Sequence, residues 1–279
     1  MGPRRSQRFE RSDIPMVKLI VSDIDGTLIP YGEKALPQTL FPLIHRLRQA
    51  GVLFCPASGR QFHSLRKLFA PVAEDLAFLC ENGAAIFGPG TEEDAPLLSK
   101  TPMPRADALA LSRDIIAAPG CQVLISGRNV SYVCGCGDDF IHRMEDFHGN
   151  LVQRVERVEE IGEDILKIAV FCPNGLDQPK KLLGPRWGRP YHMAEAGPEW
   201  LDFTLADKGK GLRGLCTALG VDLSETVAFG DNWNDAPMLE AAGIGYLMAG
   251  AAPALREKFP NQCASVLTVL ENILKEIGA

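Results

Sequence analysis

No stretch of this chain is apolar for long enough to form a membrane-crossing helix, so no membrane partner is expected. Positive charge is scarce as well. Twenty-nine Lys and Arg against 35 Asp and Glu leave a net charge of −6, too acidic for a global field that would attract nucleic acid. A phosphate-bearing ligand would therefore need a locally positive site. Internal repeats and low-complexity tracts are absent. The stretch from Met1 to Pro15 lacks the apolar segment of a signal peptide, and no hydrophobic run follows Arg4-Arg5 to make a twin-arginine signal. Gly2 with Ser6 fits the myristoylation pattern, but Pro3 makes the match accidental. Residues 1–15 are expected to be a disordered tail or a vector scar, with Met16 as an alternative start.

Cysteine is not scarce. The eight cysteines, with no export signal ahead of them, are expected as reduced thiols of a cytoplasmic protein. Cys55, Cys80 and Cys172 lie in apolar runs and read as small buried hydrophobes. A length of 279 residues suffices for one large domain or two modest ones, and 46% hydrophobic with 23% charged residues is ordinary for a globular chain.

Val17 to Ser22 is a continuous apolar run and predicts a strand. Leu40, Leu43, Ile44 and Leu47 recur at helical spacing and stop at Gly51. Strands are predicted over 52–57 and 76–80, with a helix over 61–69 between them. Fully apolar strands alternating with helices point to a parallel sheet covered on both faces. The pattern then changes to a hairpin arm at Ala84 to Phe87, a helix over 106–117, strands over 123–125 and 130–134, and further strands over 165–172 and 201–205. Alternation returns near Lys208, with a helix over 209–219, a strand over 226–229, a helix over 235–242, a strand over 244–248 and two closing helices. The expected fold class is α/β: a Rossmann-like parallel-sheet core, 16–84 and 203–279, interrupted by an α+β insert, 85–202.

Four short stretches carry the chemistry. Asp23-Ile24-Asp25-Gly26-Thr27-Leu28 follows the first strand, where extended backbone can turn both carboxylates to one side and Gly26 allows a sharp turn. Ligands of open α/β sheets bind at this carboxyl end. Adjacent carboxylates repel, so a divalent cation with oxygen preference suits them; an acidic turn capping a helix remains the other reading. Gly230-Asp231-Asn232-Trp233-Asn234-Asp235 follows a later strand. It offers Asp231 to a metal and Asn234 and Asp235 in support, or else simply caps the next helix. Ser58-Gly59-Arg60 presents a hydroxyl and backbone N–H groups suited to a phosphate oxygen, or is a plain strand-to-helix turn. Lys208 opens a helix, where a lone lysine is ordinarily solvated.

In this order the four stretches resemble the motifs of the haloacid dehalogenase-like superfamily. The wording ASGR, ENGA (Glu81 to Ala84) and GDNWNDAPML is similar to its Cof-type subgroup with a class IIB cap. The resemblance implies a phosphatase in which Asp23 attacks phosphorus and Asp25 serves as acid and then base. It implies Mg2+ on Asp23, Asp231 and the backbone carbonyl of Asp25, with Thr27, Ser58, Gly59 and Lys208 around the phosphoryl group. The substrate would be a small phosphorylated metabolite, a sugar phosphate or similar, and 85–202 its lid. The carboxylate at position 25 favours phosphate esters, since dehalogenase-type members lack one there. A phosphotransferase or phosphomutase on the same scaffold and a non-catalytic phosphosugar-binding regulator are the alternatives. The oligomeric state is left open.

Within the insert, Arg128, Arg143, Lys167, Arg186 and Arg189 are candidate substrate readers, although surface solvation explains each one better. Lys180 and Lys181 with Arg186 and Arg189 read as a solvated face rather than a nucleic-acid patch. Cys134 and Cys136 with His142 and His148 could suggest zinc, but a hairpin followed by a helix accounts for the spacing. Trp200 suits core or lid, and Trp233 the cavity entrance.

Overall fold

A computed structural model describes residues 17–33 and 35–278, so the expected tail with Gly2, Arg4 and Arg5 lies outside the described residues. The strands are β1 (Leu19–Ser22), β2 (Leu53–Pro56), β3 (Phe78–Cys80), β4 (Ala85–Phe87), β5 (Leu97–Lys100), β6 (Gln122–Ser126) and β7 (Ser131–Cys134). They continue with β8 (Val152–Arg154), β9 (Lys167–Phe171), β10 (His192–Glu195), β11 (Trp200–Thr204), β12 (Thr226–Gly230), β13 (Ile244–Met248) and β14 (Gln262–Cys263).

A five-stranded sheet runs β14-β13-β12-β1-β2, and all its pairings are parallel. Both of its faces are covered, which is why β1 has no polar alternate. Ile20 packs with Leu40, Leu43 and Leu47 of the helix Leu40–Gln49 and with Leu270 and Leu274 of the helix Val266–Glu276. Leu19 and Val21 pack on the other side, with Leu212 and Leu215 of the helix Lys208–Leu219 and Met238 and Leu239 of the helix Ala236–Ala241. Placing β1 between β12 and β2 brings three strand ends to one rim.

β3 differs from expectation. It heads an antiparallel sheet β3-β4-β5 and meets the edge of the parallel sheet through a bridge between Ala57 and Leu79, with the Ala77 N–H donating to the Phe54 carbonyl at 3.2 Å and the Ser58 N–H to the Leu79 carbonyl at 2.9 Å. The six-stranded sheet β10-β11-β9-β6-β7-β8 is antiparallel apart from the β7–β8 pair. One face packs on the helices Arg105–Ala117 and Asp177–Trp187 through Leu111, Ile115, Leu183 and Trp187. The other face carries Leu124, Ala169 and Phe171 with Phe140 and Met144.

The strand pairings cross the expected ends of the insert at 85 and 202. β4 and β5 pair with β3 and belong beside the core, and β11 continues the six-stranded sheet to Thr204, past position 202. The helix Asp177–Trp187 and the strands β8 and β10 were not legible. Pro179 and Pro185 obscure the helix, although Pro179 falls in the first turn, where a missing N–H costs little. β10 is a largely exposed edge strand without apolar alternation. The zinc reading fails on position: Cys134 lies within β7 with its thiol donating to the Glu156 carbonyl. Among the described residues the group able to hold a metal is Asp23, Asp231 and Asp235.

Candidate active site

Asp23 leaves the end of β1 and Asp231 the end of the neighbouring β12, while Ser58 follows β2. Lys208 is the first residue of its helix, whose N-cap Asp207 accepts a hydrogen bond from the Lys210 backbone N–H. The Lys208 ammonium turns inward, is 1% exposed, and lies 2.5 Å from Asp23 Oδ1 and 2.6 Å from Asp235 Oδ1. It is a buried ion-paired lysine and not a solvated one. Burial works against its charge, but the carboxylates of Asp23 and Asp235 outweigh burial and raise its pKa.

The loop after β12 is organised by Asp235. Its Oδ2 accepts the backbone N–H groups of Asp231 and Asn232, both at 3.0 Å. The tight turn leaves no room for a side chain at position 230, where a Cβ would fall 2.4 Å from that of Asp235. Asp235 thus spends its oxygens on Lys208 and on the loop. Asp23 and Asp231 form the rest of the acidic group, and of their oxygens Asp23 Oδ2 is the buried one left without a hydrogen-bond partner. Gly26, at φ +92°, makes their approach possible: a Cβ there would stand 2.4 Å from Asp231 Oδ2.

A cation fits these residues. The three carboxylates offer oxygens within 4.8 Å of one another, and Asp23 Oδ2 is buried without a hydrogen-bond partner. Burial, more than any neighbour, lifts the Asp23 carboxyl to about 7, against the pull of Lys208. Lys208 alone therefore leaves Asp23 short of positive charge at neutral pH. An all-oxygen, acidic set of this kind suits a hard divalent ion.

The remaining expected residues sort by contact. Asp25, Ser58, Gly59 and Asn234 line the same cavity, of about 840 Å³, as Asp23, Lys208 and Asp231. The Asp25 carboxylate is not one of the three clustered acids and is held by Arg60, Nη2 to Oδ1 at 2.8 Å and Nε to Oδ2 at 3.2 Å. Thr27 does not line the cavity; its hydroxyl donates to Asp231 Oδ1 at 3.5 Å, so it bears on the acid and not on a ligand. Tyr31 hydrogen-bonds the other oxygen of Asp231. Asn234 is exposed at the rim, as is Trp233.

The far wall comes from the six-stranded sheet and the segment packed on it. Leu124, Met144, Ala169, His148 and Trp200 line it, with Trp200 against the rings of Phe171 at 5.0 Å and His148 at 5.5 Å. Burial, then Arg60, Arg143 and Lys167, lower the His148 pKa. Lys167 also lines the cavity; it is buried, in contrast to the solvated reading, and is paired with Glu81 and Asp202. Of the other basic candidates, Arg143 and Arg186 pair at the surface with Glu199 and Asp114. Glu81, Asp202, Arg60 and Tyr31 were missed as site residues. For Lys167 and Asp202 a signal existed: each is a charge inside a strand whose neighbours are apolar, where an unpaired charge would be costly.

The model of the haloacid dehalogenase-like hydrolases matches residues 20–267. The chain belongs to that family. Among this hydrolase's relatives, the 5-amino-6-(5-phospho-D-ribitylamino)uracil phosphatase YbjI of Escherichia coli (strain K12) is 27% identical over 268 residues, spanning 93% of this chain and 97% of the relative. A crystal structure from Eubacterium rectale matches with a TM-score of 0.81 at 29% identity, covering 93% of this chain and 100% of that one. A HAD subclass IIB sugar phosphatase shares the fold, with a TM-score of 0.74 at 21% identity over 94% of this chain and 99% of that one. No helix among the hydrolase's described residues is long and apolar enough to cross a membrane.

Proposed function

We propose that this hydrolase is a magnesium-dependent phosphatase of small phosphorylated metabolites, sugar phosphates or similar monoesters, working through an aspartyl-phosphate on Asp23. The observation that carries the reading is the state of Asp23. One oxygen is tied to Lys208 and the other is buried, unpaired and on the wall of a cavity at the carboxyl ends of parallel strands.

Asp23 Oδ2 attacks phosphorus while the bond to the leaving oxygen breaks, and Asp25 gives that oxygen a proton. A water then passes a proton to Asp25 as its oxygen attacks phosphorus. The bond to Asp23 breaks, and inorganic phosphate leaves with both aspartates restored. Opening of the exposed Arg60 pair frees Asp25 for this exchange. Lys208 and the Ser58 hydroxyl hold the non-bridging phosphoryl oxygens, and Gly59 keeps the Ser58 turn free of a side chain. Asp235 fixes Lys208 and the Asp231 loop, with Asn234 beside it. Thr27 steadies Asp231. The Asp23 and Asp231 carboxylates with the Asp25 backbone carbonyl would hold magnesium, which when bound supplies charge neutralisation for an incoming dianion and for the transferring group.

The insert serves as the lid. It closes the cavity with its apolar and aromatic wall, excludes water and reads the leaving group. Six of the eight free cysteines are buried and none is bridged, which suits a reducing cytoplasm.

The test is phosphate release from a panel of phosphorylated metabolites with magnesium, wild type against Asp23→Asn. The amide cannot act as the nucleophile, so the variant should release none. Substantial release by Asp23→Asn overturns the proposal. An isomerised sugar phosphate in place of free phosphate would indicate the phosphomutase instead.

A further inference from the structure

A second buried lysine lines the cavity, and the proposed chemistry leaves it without a role. Lys167 opens β9 of the six-stranded sheet, is 6% exposed, and stands 2.7 Å from Glu81 Oε2 and 3.2 Å from Asp202 Oδ2. Asp202 is its neighbour within that sheet, on β11, whereas Glu81 belongs to the core and follows β3. Its third contact is also with the core: the ammonium donates to the Gly59 backbone carbonyl at 2.9 Å.

That carbonyl belongs to the turn after β2. Glu81 and Asn82, at φ +52° and +56°, occupy the left-handed region although neither is glycine, and they are held there by that turn. The Glu81 N–H donates to the Arg60 carbonyl at 3.1 Å and the Asn82 N–H to the Ser58 carbonyl at 2.9 Å. The peptide between Gly59 and Arg60 is thereby gripped from both sides. In a trans peptide the C=O and N–H point in opposite directions. With the oxygen fixed on Lys167, the Arg60 N–H is directed at Ser58 Oγ, 3.3 Å away. The Ser58 oxygen accepts from the backbone, and its hydroxyl proton is left to donate into the cavity.

We propose that Lys167 is a positioning residue for the phosphoryl site: carried by the insert, it orients the Gly59–Arg60 peptide and through it the Ser58 hydroxyl. The phosphate-binding turn of the core is complete only when the insert is docked. Selection of the leaving group by the lid is thereby coupled to the chemistry. This rests on the phosphatase reading, with Ser58 on a phosphoryl oxygen.

The experiment is a double-mutant cycle of Lys167→Met and Ser58→Ala, read as kcat and KM for phosphate release with magnesium from a small and a bulky monoester. Thermal denaturation accompanies each variant. Misplacing the hydroxyl should lower kcat by up to about a hundredfold in Lys167→Met, equally for both substrates. In the Ser58→Ala background the same substitution should cost no more than about threefold. Lys167→Arg keeps the charge between Glu81 and Asp202 and should recover part of kcat; if Lys167→Met does not fold, the arginine variant takes its place in the cycle. Additive losses, a loss confined to the bulky substrate, or a lowered melting temperature with kcat intact would overturn the proposal. A wild type that releases phosphate from neither monoester would instead refute the phosphatase reading.

Discussion

Lys208→Met tests the electrostatic design of the site most directly. Methionine keeps most of the aliphatic stem and deletes the charge. In the wild type one ammonium serves two carboxylates, at 2.5 Å and 2.6 Å, with Lys208 1% and Asp235 0% exposed. After the substitution, three acids with oxygens within 4.8 Å of one another would share no cation in metal-free buffer. Removing one partner of a buried ion pair costs about 3–5 kcal/mol, and the two stranded carboxylates place this case at about 4 kcal/mol. For a chain of this size that corresponds to a fall in Tm of about 8–16 °C. The sign with pH follows from the acids. Asp23 already titrates at about 7 in the fold against 3.8 for a free carboxyl, and losing Lys208 raises it further. A folded state with raised carboxyl pKa values binds more protons than the unfolded chain. The deficit is therefore full above the folded pKa and vanishes as pH falls below the unfolded value. Urea denaturation of both proteins in chelator, at pH 8 and pH 5, should show a wide gap at pH 8 and a narrower one at pH 5. A variant within about 1 kcal/mol of wild type at pH 8, or a gap that does not narrow on acidification, would refute the reasoning.

Chelation should abolish phosphate release, and added magnesium should restore it; indifference to chelator in the release assay contradicts the cation site. In metal-free wild type the same sign argument predicts that magnesium raises Tm more at pH 8 than at pH 5, as thermal scans in both buffers would show. Asp235→Asn removes a charged partner of Lys208 and weakens the hold on the Asp231 loop, so magnesium affinity by calorimetric titration should fall about 10–100-fold. Gly26→Ala forces a Cβ onto the Asp231 carboxylate and a side-chain-bearing residue to φ +92°. It should cost upwards of about 1 kcal/mol in denaturant and lose magnesium binding together with activity. Trp200→Ala opens the aromatic wall and should raise KM for bulky monoesters by about tenfold while leaving a small one nearly unchanged, as steady-state kinetics would read.

Local pattern alone determined the parallel core. The apolar runs that became β1, β2 and β12 have no polar alternate because helices cover both faces, and each ends in a polar cluster at the carboxyl end. The family was legible for the same reason, since its motifs are contiguous and lie at those strand ends. Long-range pairing was not legible. β11 runs on to Thr204, which pairs with Lys167, and β3 joined β4 in an antiparallel sheet. The burial of Lys208 was equally hidden, and that of Lys167 was signalled only by its apolar strand neighbours: each is surrounded by carboxylates distant in the chain, Asp23 and Asp235 for Lys208, Glu81 and Asp202 for Lys167. A sequence names the charges, but whether a charge sits in water or between two acids depends on which strands become neighbours. Only the tertiary structure decides that, because a buried charge is tolerated only where its partners are brought within contact distance.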